Sequence, residues 1–178
     1  MQIFKIDTIP FDDIKVEDDK NLTINGKPFF IQLDYLQFSH NPILEMNDQN
    51  IIFLSKLTDE QLTAFTHLEN VILEKSGLAS DKFKRIVKIP EDKEKKPYIS
   101  FRLYSKNNKF YTKFFDSKGK RIYVSPMNHK EKLNARDNVK ILMKIGGIYK
   151  NEKFSVVNYY LQECQVFTAF FNETTNIQ

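Results

Sequence analysis

The sequence predicts a mainly β protein of the α+β class with one clear helix. From Pro97 onward the predicted elements run strand, strand, strand, short helix, strand, strand, which is the order of the five-stranded OB barrel. Gly146-Gly147 interrupts a long apolar strand and indicates the bulge that lets a small barrel coil. We therefore expect an OB-like barrel in the C-terminal half, with a β-sandwich as the alternative for the same order of elements.

The length and composition are those of an ordinary globular protein. The chain has 178 residues, of which 41% are hydrophobic and 28% charged. We expect residues 1–80 to form a β-rich extension plus helix packed on the barrel, residues 81–171 to form the OB-like domain, and residues 172–178 to be a frayed tail. The one cysteine, Cys164, is expected to be a small buried apolar residue.

No segment of the sequence predicts export or membrane insertion. There is no apolar run of about 18 residues, and the amino terminus lacks the pattern of a signal peptide. We therefore expect a soluble intracellular protein without a membrane partner.

The first half of the chain contains a turn signal and a short apolar run. Asn25-Gly26 is the strongest hairpin signal in the sequence and lies between two strand-like stretches, so residues 21–38 predict a hairpin. The run Ile51-Ile-Phe-Leu54 predicts a buried strand.

Residues 58–76 carry the helical pattern. Thr58 and Gln61 have the spacing of a capping box, and Gly77 is a natural helix end. Between these signals the apolar residues recur at helical spacing, at Leu62, Phe65, Leu68 and Ile72.

Residues 97–125 predict a three-stranded antiparallel meander. Three runs rich in β-branched and aromatic residues are separated by a polar loop at 105–109 and a tight turn at Asp116–Gly119. Alternation along the first run places its apolar residues on the core side, at Ile99, Phe101 and Leu103. The opposite side then shows aromatic rings interleaved with cations. An ordinary solvated face is the simpler interpretation of the same pattern.

The rest of the chain completes the predicted barrel. Residues 129–136 predict a short helix, residues 138–149 a long strand, and residues 154–166 the last strand.

The charge is distributed unevenly along the chain. Residues 1–80 carry 6 Lys and Arg against 13 Asp and Glu, a balance of −7, whereas residues 81–153 carry 21 against 8, a balance of +13. Such asymmetry suggests a polyanionic partner for the middle of the chain.

Rings and cations on one sheet face are the combination that single-stranded nucleic acid requires, because cations follow the phosphates and rings stack on bases. The basic residues expected to contact phosphates are Lys106, Lys109, Lys113, Lys118, Lys120 and Arg121. The residues expected to stack on or flank bases are Tyr98, Arg102, Tyr104, Tyr111, Phe115 and Tyr123. We expect binding of single-stranded DNA or RNA without sequence dependence.

Residues 139–166 resemble the end of the single-stranded-DNA-binding OB-fold proteins of nucleocytoplasmic large DNA viruses. Those proteins similarly have a strand, a Gly-plus-aromatic step, a short turn and a last strand with an amide near its end. This chain has Tyr149 where the family would have Trp, and it lacks a strongly acidic tail. The resemblance implies protection of replication or repair intermediates, no catalysis, replication proteins as further partners, and a location in the host cytoplasm or viral factory.

No catalytic motif is present, and we expect neither a cofactor nor a bound metal. Two alternatives remain open. The first is a structural or assembly protein of a virion or complex, whose basic belt meets an acidic protein surface. The second is a metal-dependent nucleic-acid enzyme that uses carboxylate pairs such as Asp12-Asp13 or Asp18-Asp19.

Overall fold

The computed structural model describes residues 1–168, so the predicted frayed tail at 172–178 lies outside the described residues. The strands are β1 Gln2–Lys5, β2 Ile14–Val16, β3 Leu22–Ile24, β4 Phe29–Met46, β5 Gln49–Ser55, β6 Phe83–Lys84, β7 Tyr98–Leu103, β8 Ser105–Lys106, β9 Lys109–Phe110, β10 Lys113–Phe115, β11 Arg121–Ile122, β12 Asn138–Lys150 and β13 Ser155–Phe167. The α-helices are α1 Asp59–Ser76 and α2 His129–Lys132, and short 3-10 helices span Ile6–Thr8, Phe11–Asp13 and Ser80–Lys82.

One large sheet organises the molecule. Its strands lie in the order β11-β10-β13-β12-β4-β5-β7, with β1 parallel to β4 and β6 parallel to β13. Two small antiparallel pairs, β2–β3 and β8–β9, lie beside it. Because β7 at the end of this order also contacts β13, the longer strands curl towards a barrel. The predicted fold class, mainly β and OB-like with one main helix, is confirmed.

The structure adds which strands build the curled sheet. β4 and β5, from the first half of the chain, lie between β12 and β7. The barrel therefore uses strands from both halves of the sequence, and residues 104–137 form an insertion before β12. The division into domains at residue 80 stays a prediction, although strands from both sides of that point share one sheet.

The predicted meander at residues 97–125 is wrong. β7 pairs with β5, and the second aromatic run is divided between β9 and β10. β10 pairs in parallel with β13 and antiparallel with β11. The division falls at Thr112, which is buried and whose hydroxyl donates to the carbonyl of Leu161 at 2.7 Å. This long-range bond holds the second aromatic run against β13. The alternation of residues within the run does not predict such a contact.

Part of the predicted hairpin at residues 21–38 is confirmed. Ile24 and Lys27 exchange backbone hydrogen bonds of 3.0 and 3.1 Å around the tight turn, where Asn25 and Gly26 both have positive φ. Beyond the turn the two strands separate, because β3 pairs with β2 rather than with β4.

A single buried apolar core includes residues of the sheet and of α1. The predicted inward face of β7 is confirmed, since Ile99, Phe101 and Leu103 are at most 3% exposed. The predicted helix is also confirmed, with the Thr58–Gln61 capping box formed and Gly77 at φ 65° as its left-handed cap. The apolar face of α1 is buried in this core, at Phe65, Leu68, Ile72 and Leu73. None of the helices in residues 1–168 has the length and apolar character needed to cross a membrane.

A buried carboxylate joins α1 to the sheet and to the segment that follows the helix. Glu69 is 1% exposed and accepts the Ile86 N–H at 2.9 Å and the Tyr159 hydroxyl at 3.2 Å, with the Arg85 guanidinium at 3.5 Å. Burial raises the pKa of Glu69 in spite of these partners, and it raises the pKa of Tyr159 as well. One side chain thus fixes three segments of the fold.

The first prediction tests this connection. Glu69→Ala leaves the Ile86 N–H and the Tyr159 hydroxyl without their acceptor, so we expect a loss of about 1–3 kcal/mol in the free energy of unfolding. Urea titration followed by circular dichroism measures it. Glu74→Ala is the control, because Glu74 lies exposed on the same helix. Equal effects of the two substitutions would contradict the assigned role of Glu69.

Candidate nucleic-acid interface

A cavity of about 370 Å³ opens where β7, the segment between β9 and β10, and β13 meet. Three tyrosines and an arginine form most of its lining, and Thr112, Leu161 and Gln162 complete it. We call it the tyrosine cleft, and its defining residues are Arg102, Tyr104, Tyr111 and Tyr160.

The rings of the tyrosine cleft are held close together by backbone pairing and ring contacts. The Tyr111 N–H donates to the Tyr104 carbonyl at 2.9 Å, which fixes the two residues side by side. The Tyr104 and Tyr160 ring centroids are 6.3 Å apart, and the Arg102 guanidinium carbon lies 4.9 Å from the centroid of Tyr104. Tyr111 remains 65% exposed and Tyr104 46%, so both residues remain accessible to a ligand.

The cleft continues along the outward face of β5 and β7. In the register of this pair Ile51 lies opposite Arg102, and Ser55 lies opposite Tyr98. Between them the Phe53 ring lies 5.8 Å from the Tyr98 ring, and all of these apolar side chains are half-buried. A strip of apolar and aromatic surface therefore leads away from the tyrosine cleft.

A second cavity, of about 540 Å³, adjoins the tyrosine cleft. Tyr160 and Gln162 line both cavities, so one ring forms part of the wall of each. We call this the adjoining cavity, and its other polar lining residues are Glu17, Asp19, Asn21, Thr23 and Lys144.

The predicted bulge in β12 is confirmed and positions the wall between the cavities. The register with β13 shifts between Ile145 and Ile148. A Cβ at Gly146 would lie 2.6 Å from Cε2 of Tyr160 and 3.0 Å from the carbonyl oxygen of Asn158. The residue must therefore be glycine for the Tyr160 ring to lie where it does.

The structure brings together only some of the twelve predicted site residues. Arg102, Tyr104 and Tyr111 line the tyrosine cleft, and Tyr98 lies beside Phe53 on the strip that leads from it. Tyr123 is 52% exposed, and its hydroxyl donates to the Asn108 carbonyl at 3.1 Å. This bond ties the segment after β11 to the β8–β9 hairpin.

Two predicted cations flank the end of that hairpin. Lys106 and Lys109 are exposed on either side of Asn107 and Asn108, which both have positive φ. The polar loop expected at residues 105–109 is therefore a two-residue turn, which holds both lysines at defined positions.

The remaining predicted residues lie on β10, on β11 and at the turn between them. Lys113 and Arg121 are exposed, whereas Phe115 is half-buried in a separate cavity of about 290 Å³ that it shares with Ile3 and Lys140. The other two predicted cations, Lys118 and Lys120, are exposed on the turn between β10 and β11. This turn borders the separate cavity through Gly119. The expected single face is thus divided, and Phe115 does not join the tyrosine cleft.

The charges of the interface have no acidic partners in the part of the chain that the structure describes. Only two salt bridges form within residues 1–168, Arg85–Glu69 and Lys140–Asp34. The predicted arginines and lysines of residues 102–121 take part in neither. Their positive charge is therefore not neutralised by salt bridges in the described structure.

Two ring residues of the site were missed by sequence reasoning. Phe53 lies in a run interpreted as wholly buried, although alternation within it separates the buried Ile52 and Leu54 from their outward neighbours. Tyr160 gave no local signal, because its place in the cleft depends on the pairing of β12 with β13 and on Gly146.

The described residues show neither a metal site nor a reactive thiol. Among residues 1–168 no group of three or more His, Cys, Asp or Glu side chains could hold a metal ion. Cys164 is a buried apolar residue, as predicted, and burial raises the pKa of its thiol.

The strands of residues 1–168 define a mainly β, OB-like fold. No protein-family model and no curated protein matches the chain. Among solved structures, the single-stranded DNA-binding protein of bacteriophage Enc34 matches with a TM-score of 0.55 and 14% identity, over 91% of this chain and 94% of that chain.

Two further structures of the Enc34 protein match equally well. The C-terminal truncation gives a TM-score of 0.55 and 13% identity over 89% of this chain and 96% of that chain. The complex with single-stranded DNA gives 0.55 and 12% over 88% and 91%. At this identity the likeness shows the fold alone. None of the three is a protein of nucleocytoplasmic large DNA viruses, so that narrower resemblance stays a prediction.

The second prediction tests the wall between the cavities. Gly146→Ala forces a methyl group against the Tyr160 ring, so we expect a loss of about 1–3 kcal/mol in the free energy of unfolding. Urea titration measures it in two backgrounds, wild type and Tyr160→Ala.

Removal of the ring relieves the contact at 2.6 Å and leaves the one with the Asn158 carbonyl oxygen at 3.0 Å. Gly146→Ala should therefore lower the free energy of unfolding less in the Tyr160→Ala background than in the wild type. An equal loss of unfolding free energy in both backgrounds would show that the Tyr160 ring is not the reason for glycine at position 146.

Proposed function

We propose that this protein binds single-stranded DNA without sequence dependence through the tyrosine cleft and the exposed cations beside it. The observation that carries the proposal is the cleft itself, where three tyrosine rings and the Arg102 guanidinium meet on an open surface. Every base has a π-face, so stacking on such rings gives affinity that tolerates any sequence.

The path for the strand follows the outward face of β7. Tyr98 begins β7 and Tyr104 follows its last residue, and six residues of extended backbone correspond to about 20 Å. Phe53 contacts the first of these rings and Tyr160 the second. Bases that stack along this path would be flanked by Arg102 and by the open ring of Tyr111.

The phosphates would follow the cations of the two hairpins. The β8–β9 hairpin holds Lys106 and Lys109 beside the cleft, and Tyr123 stabilises its position through Asn108. Lys113 and Arg121 extend the positive surface on β10 and β11, and Lys118 and Lys120 extend it further at the turn between them. Lysines and arginines without salt bridges release counterions on binding and make the affinity sensitive to salt.

The match with the Enc34 protein supports this proposal at the level of the fold. One of the matching structures is a complex of that protein with single-stranded DNA, and the shared fold covers 88% of this chain. We further propose that the role is to protect single strands during replication or repair, without catalysis, and that replication proteins are partners of the complex.

The third prediction concerns stacking. Tyr111→Ala removes the most exposed ring of the cleft, so we expect binding of an oligothymidylate to weaken by about 1–3 kcal/mol. Fluorescence anisotropy at fixed salt measures the affinity, and circular dichroism verifies that the variant is folded. Tyr35→Ala is the control, because Tyr35 is 84% exposed but lies beside Asn138 and Lys140, away from the cleft. Equal losses in the two variants would refute the cleft as the stacking site.

The fourth prediction concerns the phosphates. Replacement of Lys109 and Lys113 by Gln should reduce the slope of log K against log salt by about 0.7 for each phosphate contact that is lost. The same anisotropy titration at four salt concentrations measures the slope. Lys15→Gln is the control, because this exposed lysine lies in the acidic half of the chain. An unchanged slope in the double variant would show that these two lysines do not contact phosphates.

One gel-shift experiment distinguishes single-strand binding from the two alternatives, a metal-dependent enzyme and an assembly protein. A shift of labelled oligothymidylate at low salt, with the oligonucleotide intact in Mg²⁺ or Mn²⁺, supports binding without catalysis. Degradation that EDTA abolishes would indicate a metal-dependent enzyme instead. Absence of any shift at low salt would contradict nucleic-acid binding and favour an assembly protein.

A further inference from the structure

We propose that the adjoining cavity receives one base of the bound strand and prefers a base that carries an amino group, with the Glu17 carboxylate as the group that recognises it. This inference rests on the proposed binding of single-stranded DNA. It adds a preference at one position to binding that is otherwise independent of sequence.

The adjoining cavity lies directly on the proposed path of the strand. Tyr160 and Gln162 line both this cavity and the tyrosine cleft, so a base that leaves the cleft past the Tyr160 ring enters the cavity. Its volume of about 540 Å³ exceeds that of the cleft, at about 370 Å³. Gly146 and Gly147 also line it, and Gly146 packs directly against the Tyr160 ring at the boundary of the two cavities.

The charge of the cavity selects bases rather than phosphates. Glu17 and Asp19 line it against a single cation, Lys144, and the excess of carboxylate repels the phosphate backbone. The Asp19 oxygens accept the backbone N–H of Asn21 at 3.0 Å and its side-chain amide at 2.6 Å, which lowers the pKa of Asp19 and keeps it ionised. Asp19 is therefore a fixed negative charge that is already hydrogen-bonded.

The Glu17 carboxylate has one oxygen that can accept a hydrogen bond from a ligand. Its Oε1 accepts the hydroxyl of Thr23, which is 7% exposed, and this bond fixes the carboxylate against the cavity wall. Its Oε2 has no hydrogen-bond partner within residues 1–168. A carboxylate oxygen fixed in this way is an acceptor for an N–H donor of a ligand.

The hydrogen-bond donors of cytosine and thymine decide the preference between these two bases. Cytosine presents an exocyclic amino group, and a carboxylate accepts from it favourably. Thymine presents a single ring N–H between two carbonyl oxygens, and these acceptors are repelled by a carboxylate. Lys144 and the Gln162 amide, which also line the cavity, can donate to the carbonyl oxygen that cytosine retains.

The test compares oligodeoxycytidylate with oligothymidylate of equal length at neutral pH and fixed salt, by fluorescence anisotropy. The wild-type chain should bind oligodeoxycytidylate about ten-fold more tightly, as a charge-assisted hydrogen bond to a base permits. Glu17→Gln keeps an acceptor for Thr23 and nearly the same shape but removes the charge, so it should bring the ratio close to one. Asp18→Asn is the matched control, because Asp18 is exposed and does not line the cavity.

The outcomes separate this inference from the proposed function. Equal affinity of the wild type for both oligonucleotides would overturn the inference and leave single-strand binding intact. A fall in the ratio with Asp18→Asn as large as that with Glu17→Gln would also overturn it, because general charge would then be the cause. Binding of neither oligonucleotide at low salt would overturn the proposed function, and the inference with it.

Discussion

The pairing of β12 with β13 is the constraint on which the rest of this structure depends. The two strands form the antiparallel centre of the sheet, with β4 on one side and β10 on the other. Their register shifts at Gly146-Gly147, and this bulge supplies the bend that a small curled sheet requires. The same bulge leaves room for the Tyr160 ring at the boundary of the two cavities. Folding and the candidate site thus depend on one backbone irregularity, and a residue larger than glycine there would disturb both.

The fold brings aromatic rings from distant parts of the sequence together with the cations of the insertion. The insertion between β7 and β12 carries the hairpins with most of the predicted cations, and it lies against β13 through the parallel pairing of β10 and the Thr112 hydroxyl. The rings come from both parts, since Phe53, Tyr98 and Tyr160 lie on the barrel strands β5, β7 and β13, whereas the insertion contributes Tyr104 and Tyr111. The barrel therefore supplies part of the stacking surface, and the insertion supplies the rest together with most of the positive charge. A long polyanion with flat bases requires both at once.

Signals that are local in sequence predicted local structure well. The Thr58–Gln61 capping box, the left-handed Gly77 and the β12 bulge are each determined by a few adjacent residues, and each is present. Strand partners could not be predicted in the same way, because pairing depends on contacts between distant residues. The aromatic run after residue 108 has strong strand character but bonds to β13, about 50 residues later. For this reason the exposure of Tyr104, Tyr111 and Tyr123 was predictable, whereas the partnership with Phe53 and Tyr160 was not.

Binding without sequence dependence and a base-selective cavity are compatible on energetic grounds. Several stacked rings at about 1–3 kcal/mol each, together with counterion release, would supply most of the affinity at every sequence. A single carboxylate that discriminates between bases by about ten-fold changes this total by roughly 1.4 kcal/mol. A strand that offers several registers can place a favoured base in the adjoining cavity without leaving the tyrosine cleft. The proposed cavity would therefore bias where the protein rests along a strand more than whether it binds, since the proposed cleft and cations would act on every nucleotide alike.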